Sequence, residues 1–467
     1  MKNKFYILLP LILGTSMAGL DSSIVNVSLP VMRKQFNCQL DDIEWVITSY
    51  MISFCLFMPL INWLKKRIGY YYLYIASISI FTIGSLLCSV SGSLSFLIVA
   101  RIIQAIGGGS ITPTSMSIIS DTFPKEERGQ ALGWWGLGTN LFPAIGPTLG
   151  GVLTEYFGWP SIFYINIPIG IVTIFFFTKY FSFLKNEDRT RAHFDIRGFI
   201  YFSLFILLIQ YSISIASKVG FASPVLWIGF LIAGIALFLF IRSGKKDDPL
   251  LDLSVFKHRI FVKGILITIV RAIALYGGIF LLPFLLQGLM GFSQVQSGLL
   301  MLPNSIAIAI LTPIAGAYAD KHGARRISVA GLLLLSLSMF MFSRINVGYA
   351  FWMIIITMLI RGAGLGLLVS PISSTILNAV DSAQYATASS FYSLMQQLGG
   401  SIGVAVTAVI HEFIYVHYLH EGKIASLAEH FALQDGFMVS MFLVLTAVLP
   451  ALQLPKKVKA RPLPAAV

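Results

Sequence analysis

Charge is scarce in this chain. Only 11% of its 467 residues are Asp, Glu, Lys or Arg, while 56% are hydrophobic and the mean hydropathy is +0.82. A soluble domain carries about a quarter charged residues, so this composition cannot cover a water-facing surface and lipid must solvate most of the chain. Cysteine is equally sparse. Cys55 and Cys88 fall within apolar runs and Cys38 in a loop, which excludes a disulfide framework and any metal-ligand spacing. No Walker sequence is present, so ATP hydrolysis within the chain has no support. No nucleophile–base constellation suggests a membrane enzyme, and nothing calls for a cofactor. The N-terminus begins like a signal peptide, but its apolar stretch is too long and no small-residue cleavage site precedes a soluble domain. It reads as a retained first helix.

What the chain has instead is a succession of long apolar runs. A span needs about 20 mostly apolar residues. On that rule an all-α membrane protein of fourteen spans is expected, near residues 6–30, 43–63, 70–90, 94–119, 130–153, 161–181, 197–216, 224–242, 260–286, 296–318, 327–345, 349–372, 384–411 and 433–453.

The net charge of +13 would suggest nucleic acid in a soluble protein. Here the basic residues sit in short segments between spans, the pattern that fixes membrane orientation. With the N-terminus inside, 25 of the 33 Lys and Arg fall in inner segments, 5 in outer ones (Arg33, Lys34, Lys218, Arg344 and Lys423) and Arg101, Arg271 and Arg361 within spans. Both termini are therefore expected in the cytoplasm, Lys423 outside, and no nucleic-acid partner.

The chain also repeats itself. NWLKKRIGYYYLYI after span 2 resembles GAYADKHGARRISV after span 10, and SITPTSMSIIS resembles LVSPISSTIL, with Pro113 and Pro371 separated by 258 residues and Gly69 and Gly323 by 254. Two homologous six-helix bundles are expected, at 1–182 and 259–467, with two inserted helices and their linkers at 183–258. Paired repeats in a transporter place the substrate site at their interface near the bilayer midplane.

Four motifs carry a more specific signal. Span 1 holds LDSSIVNVSLP (20–30), span 4 opens ARIIQAIGGG (100–109), span 5 holds Gly138 and then GPTLGG (146–151), and span 6 opens FYINIPIG (163–170). Over nearly its whole length the chain resembles the major facilitator superfamily, and within it the fourteen-span drug:proton antiporter-2 family of the EmrB/QacA type. That resemblance implies export of drug-like molecules from the cytoplasmic (inner) membrane against inward proton flow. It also admits a periplasmic adaptor and an outer-membrane channel as partners.

Asp21 lies well inside span 1. An acid in hydrocarbon is a functional hypothesis by default, and a carboxyl group withdrawn from water is a candidate proton carrier. The alternative is a structural acid satisfied by Ser22 and Ser23. No second acid is deep in a span; Glu44, Glu155 and Glu412 lie near outer ends. Arg101 is read as either Asp21's partner in proton coupling or a structural tie between spans 1 and 4, with Gln104 on the same helix face. Arg271 is a mid-span cation that either attracts an acidic substrate or pairs with an unplaced acid. Asn26, Gln104, Arg271, Tyr276, Gln287, Asn304 and Gln396, with Gln397, are the expected cavity residues, each singly compatible with packing.

The resemblance assigns Gly138, Gly146, Pro147, Gly150 and Gly151 to an antiporter motif at the junction of the bundles, although Phe142 replaces its middle glycine and Pro143 is additional. Gly316, Asp320, Gly323, Arg325 and Arg326 fit the superfamily's cytoplasmic loop motif, in which the glycines make the turn, Asp320 caps or faces a helix N-terminus and the arginines anchor the inner surface. The first-half copy is degraded, with Asn62 for its leading glycine and Lys66 for its aspartate. His411, His417, His420 and His430 read as a solvated outer loop rather than a metal site.

The expected function is thus proton-coupled export of amphipathic small molecules. The alternative is a dedicated exporter of one metabolite such as an acidic siderophore. Proton-coupled uptake is less favoured because of the span 5 motif, and a non-transporting sensor less still.

Overall fold

A computed structural model describes residues 2–123, 125–186, 194–244, 250–346, 348, 350–381 and 384–455. Among the described residues, fourteen long helices carry the fold. α1 (Lys2–Phe36), α2 (Trp45–Phe57), α3 (Ile61–Ser89), α4 (Leu94–Thr122), α5 (Lys125–Phe157) and α6 (Asn166–Tyr180) form the first bundle. α7 (Ile196–Val219) and α8 (Pro224–Ser243) are the inserted pair. α9 (Arg259–Pro283), α10 (Gln294–His322), α11 (Ala324–Phe342), α12 (Phe351–Asn378), α13 (Tyr385–His420) and α14 (Ala425–Thr446) form the second bundle. Among the described residues, 13 helices are long and apolar enough to cross a membrane, and α5 stands where the remaining expected span falls. Large apolar side chains such as Leu231 (64% exposed), Phe238 (63%) and Ile171 (60%) coat the outside. Water would not tolerate that surface, and a bilayer stabilises it.

Within the first bundle α1 packs on α5 and α6, and α4 on α2 and α3; within the second, α9 packs on α13, and α12 on α10 and α11. The bundles meet along two seams, α5 against α10 and α2 against α13. The inserted α7 lies over the second seam, touching both α2 and α13, and α8 leans on α7.

The repeat is visible in backbone conformation. Gly69 (φ 77°, ψ 165°) and Gly323 (φ 84°, ψ 157°) take the same conformation, one that is essentially open only to glycine. Gly69 kinks the chain within α3, and Gly323 separates α10 from α11. The chain therefore stays helical through Lys65, Lys66 and Arg67, beyond the expected end of span 2 at residue 63, and turns only at Gly69. The helices alternate between two ends of the molecule. One carries the turns at Asn37, Gly158, Gly220, Gly291 and Gly422, the other those at Gly69 and Gly323.

Candidate functional site

The first bundle is organised around one carboxylate. Asp21 on α1 is 0% exposed and Arg101 on α4 2%. Arg101 Nη1 donates to Asp21 Oδ2 at 2.6 Å, while Gln104 Nε2 and Asn166 Nδ2 donate to Oδ1 at 2.8 and 3.0 Å. The helical i, i+3 spacing puts Arg101 and Gln104 on one face, and Arg101 Nη1 also reaches Gln104 Oε1 at 2.6 Å. Ser85 on α3 accepts from both amides, at 2.8 and 3.3 Å. It can do so because Gly84 lets α3 press on α4: a Cβ there would come 2.5 Å from the Gln104 Cα. Arg101 is completed by the Val46 carbonyl, 3.1 Å from Nε, and by the Tyr50 ring, 4.1 Å beneath the guanidinium.

Five helices thus converge on one neutral unit. Its chemistry follows from that neutrality. Protonating Asp21 leaves the guanidinium buried without a counter-charge, which is strongly unfavourable. Ser22, the next residue, is exposed.

The structure redistributes the expected cavity residues. Gln104 is 0% exposed and belongs to the Asp21 network rather than to a cavity, because α3 covers that face of α4. Asn26 bonds to its own helix, at the Ser22 and Ser23 carbonyls. Arg271 is 2% exposed, and among the described residues no acid partners it; Nη2 donates to Gln396 Oε1 at 3.0 Å and Nε has no partner there. Tyr276 reaches Gln397 at 3.5 Å, and its ring lies where a Cβ on Gly400 would come within 2.6 Å of it and 2.4 Å of Met51. Those contacts put α9, α13 and α2 side by side at mid-length. Gln287 crosses between the bundles to the Val27 carbonyl at 2.8 Å. Asn304 accepts from Arg361 Nη1 at 3.1 Å, and Arg361 Nη2 donates to the Leu275 carbonyl at 2.8 Å.

The glycines of α5 divide by direction. Cβ atoms at Gly138, Gly146 and Gly150 would collide with Ile12, Ser23 and Ile24 of α1, inside the first bundle. Gly151 faces the second bundle, where a Cβ would lie 2.3 Å from the Gln294 carbonyl oxygen. Across the seam a Cβ on Gly298 would lie 2.5 Å from the Pro147 carbonyl oxygen, and Thr148 Oγ1 donates to the Gly298 carbonyl at 3.1 Å. Val295 N donates to Glu155 at 2.8 Å and Arg33 pairs with Glu429 at 2.8 Å. These links all lie toward the Gly158 end. Toward the Gly323 end of α5, by contrast, a Cβ on Gly133 would meet nothing within 4 Å.

In the loop motif, Gly316 packs on Ser370 and Arg325 Nε donates to the Leu454 carbonyl at 2.7 Å, while Arg326 is exposed. Asp320 is exposed and does not cap α11, whose N-cap is Gly323 without a side-chain bond. The turn is made by backbone conformation, so no acid is needed there. Asn62 has no described side chain. His411 departs from the solvated-loop expectation: it is 0% exposed on α13, with Glu429 3.6 Å away, because α13 runs helical to His420. No group of His, Cys, Asp or Glu among the described residues could hold a metal.

Three residues outside the expected site make buried polar contacts. Asn166 and Ser85 complete the Asp21 cage; the polarity of Asn166 within an apolar span was the available signal. Glu44 is 0% exposed despite its position near the end of a span, and it accepts hydrogen bonds from Thr48 and from Ser214 of the inserted α7.

The Major Facilitator Superfamily profile matches residues 11–404. The chain belongs to the major facilitator superfamily. The facilitator is 33% identical over 405 residues to the riboflavin transporter RibZ of Clostridioides difficile, covering 87% of this chain and 88% of that one. It is 31% identical over 406 residues to the multidrug export protein EmrB of Escherichia coli K12, covering 85% and 78%. Its fold matches the crystal structure of a bacterial homologue of the human lysosomal transporter Spinster, in an inward-facing and occupied conformation, with a TM-score of 0.69 at 17% identity over 97% of each chain. The molecule is therefore a multi-pass membrane transporter of small molecules.

Proposed function

We propose that this transporter is a proton-coupled exporter of amphipathic small molecules that works by alternating access between its two bundles. The observation that carries the reading is the Asp21–Arg101 unit, a buried carboxylate that ties α1, α4 and α6 together and whose loss of charge would leave Arg101 uncompensated. Similarity to the multidrug export protein EmrB supports export. If proton and substrate compete for linked states, each biases the equilibrium between the two openings. In proteoliposomes, an imposed pH gradient should drive substrate against its concentration gradient, and substrate added without a gradient should move protons the opposite way, as read by a trapped pH dye. Transport indifferent to both would refute coupling.

The charge bias supports placing the Gly323 end and both termini in the cytoplasm. The α5–α10 contacts then close the outer side. Single cysteines at positions 423 and 457 test this in a background lacking Cys38, Cys55 and Cys88. Native Cys38 would report poorly, because burial and Asp42 push its thiol up from the usual range. An impermeant reagent on intact cells should label position 423 and leave 457 untouched; the reverse pattern would invert the topology.

A second reading, export of one dedicated metabolite, is favoured by the uncompensated arginines of the second bundle and by similarity to a transporter named for riboflavin.

A further inference from the structure

The two bundles differ in how they treat buried cations. In the first, Arg101 is neutralised by Asp21. In the second, Arg361 is the approximate repeat counterpart of Arg101, yet it meets an amide oxygen of Asn304 and the Leu275 carbonyl instead of a carboxylate. Arg271 donates to the amide oxygen of Gln396. Among the described residues neither guanidinium has an acidic partner, both are at least 98% buried, and the Nε of each has no hydrogen-bond partner. Arg271 lies on α9 and Arg361 packs against it. Leu275, which Arg361 touches, is four residues beyond Arg271, or about 6 Å along the helix. The second bundle therefore concentrates two positive charges over little more than one turn of α9.

An unpaired cation at mid-membrane is expensive, and such residues mark substrate pathways. The position of Arg271 fits that role. Its partner Gln396 sits on α13, which forms a seam with α2. The neighbouring Tyr276 and Gln397 lie where Met51 of α2 meets Gly400. A guanidinium offers a carboxylate two parallel donors along one edge, and Arg271 has its Nε and Nη2 on such an edge, with Nη2 held by a neutral amide and Nε unengaged. Gln396 supplies, in this conformation, the acceptor that a stronger anionic group would replace.

We propose that the transported molecule is an organic anion, a carboxylate or comparable group on an apolar body, whose negative charge is received by Arg271 in the field of Arg361. The apolar body would lie along Tyr276 and Met51. This rests on the exporter reading above, and it narrows the substrate class.

The test uses detergent-purified full-length protein and three probes of one shape and different charge: 2-naphthoate, 2-naphthamide and 2-naphthamidine. Wild type should bind the anion at least about tenfold more tightly than the neutral amide, with the cation weakest. Arg271→Gln should reduce naphthoate to the affinity of the amide, while Arg271→Lys keeps part of the preference. The Gln variant should melt no lower than wild type, because it removes an uncompensated buried charge; a structural arginine would lower the melting temperature. Equal binding of anion and amide by wild type, an unchanged preference in Arg271→Gln, or absence of naphthoate binding would each overturn the proposal. So would stabilisation by chloride that Arg271→Gln removes without any naphthoate preference, since the counter-ion would then be a bare inorganic anion. Binding in detergent needs no gradient. Failure of proton coupling would appear instead in the proteoliposome assay with a neutral compound, so the two readings fail separately.

Discussion

Replacing Asp21 by Asn should abolish proton-driven transport. If one proton exchanges for one substrate, a gradient of about 2 pH units sustains an accumulation of about 100-fold, because each unit is worth 1.36 kcal/mol; in the variant the ratio should fall to about 1. The substitution is nearly isosteric, and an Asn oxygen in the Oδ1 position can still accept two of the three hydrogen bonds now reaching the carboxylate, those from Gln104 and Asn166. What it removes is the charge opposite Arg101, which is 2% exposed. Breaking a buried pair by deleting one partner costs about 3–5 kcal/mol, so a melting shift will accompany the loss, and the single variant alone does not separate coupling from stability. The double variant Asp21→Asn with Arg101→Gln does. It restores neutrality and should regain most of the thermal stability, yet remain uncoupled, since no carboxylate is left in the cage. If the double variant transports with its pH dependence intact, the unit is structural and the coupling proton lies elsewhere.

The second large effect is expected at the α5–α10 seam. Gly298→Leu should abolish transport while leaving a folded, inserted protein. A Cβ at this position would already lie 2.5 Å from the Pro147 carbonyl oxygen and 2.9 Å from the Thr148 Cα, both of them backbone. Backbone cannot swing aside as a flexible side chain can, so α5 and α10 must separate. Overpacking of this kind costs about 1–3 kcal/mol, and the cost falls only on the state in which the Gly158 end is closed. That shifts the equilibrium between openings by about 5- to 150-fold, with more expected here because the bonds from Thr148 to Gly298 and from Val295 to Glu155 are lost as well. Gly133→Ala on the same α5, where a Cβ meets nothing within 4 Å, should transport normally. Cysteine accessibility from the two membrane sides would show the leucine variant held open at the Gly158 end. Wild-type turnover in Gly298→Leu would mean that this seam does not need to close during transport.

The sequence by itself determined the class of the molecule. Apolar runs of span length admit only helices in lipid, because every backbone polar group must be satisfied within its own segment. Such runs therefore place α1 to α14 without knowledge of tertiary contacts. The paired glycines at 69 and 323 announced the repeat for a similarly local reason, since their conformation is closed to other residues. Asp21 and Arg101 were legible as singular charges in apolar surroundings. Tertiary structure alone decided what those charges touch. Gln104 shares a helix face with Arg101, but whether that face looks into a cavity or against α3 depends on how closely Gly84 lets two helices approach. The glycines of α5 read as one motif along the chain, yet the helical turn sends Gly146 and Gly150 toward α1 and Gly151 toward α10. Arg271 and Arg361 were visible as cations, but the lack of acidic partners among the described residues emerges only when the surrounding helices are in place. Burial of a charge is a property of a residue type in a run of neighbours; its neutralisation is a relation between segments hundreds of residues apart, and only the packed fold defines it.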